Sequence, residues 1–314
     1  MNNSIEVFVL TRNRKLFLLE TLESLLAQRS PADRIVVLDN CSTDGSPEAV
    51  YARFGERVEV LTSEAPLSLW ENFARAGQQS RSLRCMVAHD DDLYHPNYLE
   101  AVRKSFEKRP DVGIVLAGMS YEYHPNPTRW APLTEERVFC ANPAEFALEL
   151  YNGFGANFGS AIYRTTFLRS ARPNIDRYAD YSDRPLMFDA AKTGGALILK
   201  GRYVQYRLHP EQDSVLIAKW YSSKYLISLQ ECYRDLLLSG GPWSSACYRF
   251  RQIYNISAIL CSQGQPGQTT YGILVKIDRD LLAALPLGIV GFVWHSARAR
   301  AVTLRMHVKR WLQI

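Results

Sequence analysis

The sequence predicts an α/β fold: a mostly parallel central sheet flanked by helices, followed by a helical C-terminal extension. Three observations carry that expectation. Short apolar runs alternate with helical patterns through the first 120 residues, the signature of strands crossing over through helices. The 314 residues are 47% hydrophobic and 22% charged, which suits a soluble globular protein. From about Gln212 the alternation gives way to a helical pattern. The expected division is a sheet domain over residues 1–215 and a helical region over 216–314.

Each element has its own signal. Ile5–Leu10 is a continuous apolar run and reads as a first strand. A helix follows near Lys15–Gln28, with Leu18, Leu22, Leu25 and Leu26 on one face. Arg34–Leu38 is a second strand, Pro47–Phe54 a short helix and Val58–Leu61 a third strand. Leu69–Gln78 is helical, Leu83–Ala88 a fourth strand, Asn97–Lys108 a helix and Val112–Ala117 a fifth strand. Residues 121–160, rich in Pro, Asn, Tyr and Gly, read as a loop-bearing region around a site. Phe158–Arg164 and Ala196–Arg207 read as strands, and a helix at Arg184–Thr193 is ended by Gly194 and Gly195.

In a sheet of this kind ligands bind beyond the carboxyl ends of the strands. Thr11, Arg12, Asn13 and Arg14 lie after the first strand, Asp39 ends the second, and Asp90, Asp91 and Asp92 follow the fourth. The run Val87-Ala88-His89-Asp90-Asp91-Asp92 is the most informative of these. Adjacent carboxylates repel and must find water, a cation or a basic partner. Side chains two apart on an extended segment point the same way, so Asp90 and Asp92 can share one hard divalent ion. The segment Gly153-x-Gly155-x-x-x-Gly159 has one residue too many for a dinucleotide fingerprint. It reads instead as a loop passing close to substrate, or as a turn.

The formal charge of +5 belongs to the end of the chain. No acidic residue follows Asp280, whereas Arg298, Arg300, Arg305, Lys309 and Arg310 do, which leaves residues 1–280 formally neutral. Residues 281–294 are uncharged but too few for a span of ~20 residues, and Pro286, Gly288 and Gly291 interrupt them. Ala297, Ala301, Leu304, Val308 and Trp311 then share one helical face beside Arg298, Arg305 and Lys309. That is the pattern of an interfacial helix facing anionic lipid. No nucleic-acid-binding module accompanies the basic stretch. The six cysteines show no metal-ligand spacing and fit a reducing compartment. Glu6 and Arg12 interrupt any signal-peptide core. The expectation is a cytoplasmic protein, peripheral on the inner face of the cell membrane, whose tail could also serve a homo-oligomer.

Taken in order, these motifs resemble those of the family 2 glycosyltransferases, inverting nucleotide-sugar enzymes of the GT-A fold. Leu10-Thr11-Arg12-Asn13-Arg14 is similar to the family's opening turn. Leu38-Asp39-Asn40-Cys41-Ser42-Thr43-Asp44-Gly45-Ser46 is similar to its second-strand segment. Asp90-Asp91-Asp92 falls on its DXD metal motif, Ser182-Asp183 on its catalytic motif, and Tyr206–Ser214 on a later motif containing Arg207 and His209. The resemblance covers about residues 4–215. Two positions depart from it: Arg12 stands where many relatives carry a base-stacking aromatic, and Ser182 replaces the usual Glu before the catalytic Asp.

The resemblance implies a transferase of the hexosyltransferase type that moves a sugar from a UDP, dTDP or GDP donor to a saccharide acceptor. That acceptor is expected to be lipid-linked, in surface polysaccharide biosynthesis. Mg²⁺ or Mn²⁺ on the donor diphosphate would be held by Asp92, Asp90 and His209. Thr11, Arg12, Asn13, Arg14, Asp39, Asp44, Asn72, Asp90, Asp91 and Arg207 would contact the nucleotide sugar, Asp39 through an imino N–H of the base and Arg207 through phosphate. Asp183 would be the general base. Two alternatives keep the fold: an inactive sugar-nucleotide or membrane-binding module, and a sugar nucleotidyltransferase, whose Gly-rich N-terminal loop is missing here.

Overall fold

The computed structural model describes residues 4–151, 154–209 and 223–240. The proposed membrane-facing tail, the end of the later motif beyond His209, and Gly153 lie outside these residues. Contacts divide the chain into two units, one comprising residues 1–175 and 182–212, the other 176–181 and 213–314. Of the second unit, the helix Ser223–Gly240 is described, with Leu229, Tyr233 and Leu237 buried.

The first unit is built on a nine-stranded sheet. Its strands are β1 (Ile5–Thr11), β2 (Arg34–Asp39), β3 (Glu59–Thr62), β4 (Arg84–His89), β5 (Leu93–Tyr94), β6 (Ile114–Glu122), β7 (Arg137–Cys140), β8 (Ala161–Arg164) and β9 (Ala196–Arg207). The helices of this unit are α1 (Lys15–Leu26), α2 (Ser46–Phe54), α3 (Leu69–Gln79), α4 (Tyr98–Lys108), α5 (Pro143–Tyr151), α6 (Thr165–Ser170) and α8 (Asp183–Ala191). The short α7 (Ile175–Tyr178) starts at the unit's boundary.

The strand order is β3-β2-β1-β4-β8-β6-β9-β5, with β7 beside β9. The first four strands are parallel, as the alternating pattern predicts. Beyond them β8 runs antiparallel between β4 and β6, while β6 and β9 are again parallel. The sheet is therefore mixed.

Strand alternation assigns the core. Ile5, Val7 and Val9 of β1 join Leu18, Leu22 and Leu25 of α1, Val50 of α2 and Tyr98, Leu99, Val102 and Phe106 of α4 on one face. Helices α3, α6 and α8 pack against strands outside that cluster. The two faces together explain why the strands read as unbroken apolar runs.

Three expected boundaries move, each for a local reason. The expected loop over 121–160 contains β7 and α5. The Asn142 carboxamide oxygen accepts the N–H groups of Ala144 and Glu145, both at 3.0 Å, while Glu145 accepts the N–H of Ala141 at 2.8 Å. That reciprocal capping is legible in Asn142-Pro143-Ala144-Glu145. The strand expected from Phe158 begins at Ala161 instead. Asn157 caps a single 3₁₀ turn by accepting the N–H of Ser160. Helix α8 ends at Ala191, and Gly194 and Gly195 follow at φ of +127° and +82°, where an L side chain is disfavoured.

Candidate active site

The parallel register puts the polar strand ends at one level. Thr11 lies beside Asp39 in the β1–β2 pairing, and Leu10 beside His89 in the β1–β4 pairing. The loops after β1 and β2 interlock there. Asn13 takes φ of +54° and Cys41 of +60°, and Asn13 N–H donates to Ser42 Oγ while its carboxamide oxygen accepts the N–H of Thr43. Asp44 accepts the first helical N–H of α1, from Lys15 at 2.9 Å, and both the N–H and hydroxyl of Ser46 at the start of α2. Burial of Asp44 raises its pKa, but these donors together outweigh it and hold the carboxyl below its ordinary value. Asn13 and Asp44 thus spend their polar atoms within the fold, while Arg12 is exposed.

Asn72 behaves likewise. It is buried in α3, donates to Leu38 C=O at 3.2 Å and accepts Arg75 Nη1 at 2.8 Å; Arg75 also reaches the carbonyls of Asp39 and Leu61. These two residues tie α3 to the ends of β2 and β3. Asp39 differs: Oδ2 accepts the N–H of Ser42, whereas Oδ1 is buried and has no hydrogen-bond partner among the described residues. A carboxylate oxygen in that state is incomplete without a donor from outside the fold.

Beyond β4 the three aspartates are 3%, 3% and 0% exposed, far from the solvated acidic turn that such a run ordinarily forms. Helix α1, with Gln28 just beyond its end, holds their segment through buried polar groups. Thr21 Oγ1 donates to Asp92 C=O, Ser24 Oγ accepts the N–H of Tyr94, and Gln28 Nε2 donates to His95 C=O. Asp90 is saturated by protein. Oδ2 accepts Thr11 Oγ1 at 2.7 Å and Oδ1 pairs with Arg14 at 3.2 Å. Burial and the neighbouring Asp91 nevertheless push its pKa up to about 6.

Asp91 Oδ2 meets both Arg14 at 3.2 Å and His209 Nε2 at 3.0 Å. Burial opposes its ionisation, but His209, His89 and Arg14 outweigh that and hold its pKa below the ordinary value. Asp92 Oδ1 accepts the N–H of Arg207 at 3.1 Å, and its pKa is raised by burial and by Asp91. The guanidinium of Arg207 donates to Asp91 C=O, pairs with Glu20 and lies over the Phe17 ring. It braces the acidic segment.

His89, which the motif reading left out, is central to the geometry. Its Nδ1 lies 3.3 Å from Asp92 Oδ2, and ligand atoms of His89, Asp91 and Asp92 fall within 4.8 Å of one another. Burial lowers the pKa of His89, yet Asp92 and the charges of Asp91 and Asp90 lift it to about 9. Asp91 Oδ1 and Asp92 Oδ2 are buried with no hydrogen-bond partner among the described residues. Asp91 Oδ1, with Asp92 Oδ2 and the His89 imidazole once a cation has displaced its proton, forms a donor set that fits one divalent ion. Of the expected ligands Asp92 belongs to this group; Asp90 and His209 instead bind Arg14, Thr11 and Asp91. The sequence signal was there, since His89 and Asp91 also lie two apart.

Asp183 opens α8. Ser182 makes no capping bond to that helix, and Asp183 lies 3.9 Å from Arg184. Burial raises the Asp183 pKa above its ordinary value, only partly offset by Arg184 and by His89. The influence of His89 places Asp183 within electrostatic reach of the acidic cluster.

With this geometry in view, comparisons identify the class. The family model described as Glycosyl transferase family 2 matches residues 6–171, more than half of the chain. The chain belongs to glycosyl transferase family 2. A relative from Haemophilus influenzae, described as an uncharacterized glycosyltransferase, is 23% identical over 145 residues, covering 44% of this chain. The match spans about half of that relative's length, 49%. Among solved structures, S. aureus TarS 1-349 is similar with a TM-score of 0.55 at 15% identity, over 95% of this chain and 91% of that one. Its complexes with UDP and with UDP-GlcNAc give TM-scores of 0.57 and 0.56, each at 15% identity and over 95% of this chain, with 91% and 92% of those chains covered. At this identity the likeness establishes the GT-A fold.

Proposed function

We propose that the chain is an inverting, metal-dependent transferase that uses a UDP, dTDP or GDP sugar and a saccharide acceptor. The observation that carries this reading is the set of buried carboxylate oxygens without a hydrogen-bond partner among the described residues, Asp39 Oδ1, Asp91 Oδ1 and Asp92 Oδ2, gathered at the carboxyl ends of the strands. Asp39 would accept the imino N–H of the base. His89, Asp91 and Asp92 would hold Mg²⁺ or Mn²⁺, which when bound offsets the charge that develops on the leaving diphosphate. Arg14, already shared between Asp90 and Asp91, keeps those two carboxylates in register.

Asp183 would take the proton of the acceptor hydroxyl. As the new bond forms between that oxygen and the anomeric carbon, the bond from that carbon to the diphosphate breaks and its electron pair leaves with the diphosphate. A raised pKa suits this work, because a stronger base gains more from the transfer. The TarS complexes support a uridine donor by likeness of fold. The basic amphipathic pattern near the C-terminus supports a lipid-linked acceptor at the cytosolic membrane face, in surface polysaccharide assembly. No described helix is long and apolar enough to cross a membrane.

The test is slow hydrolysis of nucleotide sugars by the full chain with Mn²⁺. One donor of a UDP, dTDP and GDP panel should be cleaved, chelation should stop the reaction, and Asp92→Ala should abolish it. Cleavage that persists in Asp92→Ala, or no cleavage of any donor, overturns the reading.

A further inference from the structure

The donor reading accounts for the carboxylates but leaves a row of aromatic rings unexplained. Tyr206, which precedes Arg207 on β9, lies 6.4 Å from the His89 ring, and the Tyr121 ring lies 5.5 Å from Tyr206, edge to face. The row therefore starts at the acidic cluster and ends at Tyr121, which is 56% exposed. Tyr121 sits on β6 directly beside Tyr206, where the β6–β9 pairing is regular after its bulge. Leu208 N–H donates to Glu122 C=O at 2.8 Å, fixing this corner to the segment that carries His209.

The 154–160 segment runs along the same row. A Cβ on Gly155 would come within 3.1 Å of Tyr121 Oη, and one on Gly159 within 3.2 Å of the His89 ring. Phe158 packs on His89 at 4.3 Å, and Tyr94 Oη donates to Gly159 C=O at 3.0 Å. The glycines flagged in the sequence thus let backbone lie against the rings at both ends of the row. A larger residue at either position would push on the ring it faces.

An exposed tyrosine costs little by itself. This one is held by a second ring and by a close backbone, and its row leads back to His89 beside the acidic cluster. The acceptor must approach from the side of the base, and a pyranose offers a face of C–H groups that packs on an aromatic face while its hydroxyls stay in water. We propose that Tyr121 is the stacking face of an acceptor subsite, where a pyranose ring of the saccharide acceptor lies and presents its neighbouring hydroxyl to Asp183. This rests on the transferase reading above.

The test uses the full chain with UDP and Mn²⁺, and methyl β-glycosides of glucose, galactose and N-acetylglucosamine as probes in saturation-transfer NMR. Wild type and Tyr121→Phe should bind at least one glycoside through its C–H face. Tyr121→Ala should weaken that binding about ten-fold while leaving donor hydrolysis unchanged. Equal binding by Tyr121→Ala, or no glycoside bound by the wild type, overturns the subsite. If hydrolysis persists in that case, only the subsite falls; if the wild type hydrolyses no donor, both readings fall.

Discussion

At the scale of single residues, the same residue type does opposite work depending on what its oxygens touch. Asp44 and Asp90 have donors on both carboxylate oxygens, whereas Asp39, Asp91 and Asp92 each keep one buried oxygen without a hydrogen-bond partner among the described residues, that of Asp92 lying 3.3 Å from His89. Asp183 is the proposed base, and Asp183→Asn should lower the transfer rate by about 10²–10⁴-fold. Its pKa is raised by burial, so the acid limb of kcat/KM should lie above the ordinary carboxylate value, and an acid limb at or below that value would count against the assignment. The stability sign follows from the same shift. The unfolded chain loses this proton at lower pH than the folded one, so the stabilising contribution is intact below the ordinary value and fades as pH rises through the raised one. At neutral pH the ionised group works against folding, and Asp183→Asn should raise Tm while lowering activity. A fall in Tm would remove burial as the cause.

At the scale of elements, the site is held by contacts between loops and helix ends. Asp44 closes the first turn of α1 and the start of α2 together, which locks the β1 and β2 loops. Asp44→Ala should cost about 1–2 kcal/mol, read as a lower urea midpoint, with hydrolysis per folded molecule largely unchanged. Loss of donor binding at unaltered stability would instead make Asp44 a donor contact. Helix α1 has a second function beyond its leucine face, since Thr21 and Ser24, with Gln28 just past the helix end, hold the backbone of residues 92–95. Those positions recur at helical spacing, so the pattern was present among the leucines, but hydrophobic periodicity alone passes over polar residues that are buried.

At the scale of the molecule, the sheet changes character where the proposed chemistry lies. Its parallel half supplies the ends of β1, β2 and β4 for the donor, while the mixed half brings β6, β9 and the 154–160 segment to the other side of the acidic cluster. Buried carboxylate oxygens without a hydrogen bond are costly, so ligands that complete them should stabilise the whole fold. Mn²⁺ with the correct nucleoside diphosphate should raise Tm by mass action, worth about 2.7 kcal/mol at a hundred times Kd. The shift should vanish in Asp92→Ala, and a shift retained there would place the ligand elsewhere.

The sequence by itself determined the parallel half of the sheet, because β1, β2 and β4 are buried on both faces and so are apolar runs bounded by turns. It also determined which carboxylates stand at strand ends, since alternation and length fix where each strand stops. The mixed half was less legible. Strand direction depends on partners far along the chain, and β8 between β4 and β6 leaves no local mark. Which carboxylate oxygens are filled was equally beyond pattern reading. Arg14 could as well have met a phosphate as Asp90, and His89 could have been a core histidine. Hydrogen bonds saturate only when the chain has folded, so only the tertiary structure decided that Asp90 and Asp44 have donors on both oxygens while Asp39, Asp91 and Asp92 each keep one oxygen without a hydrogen-bond partner among the described residues.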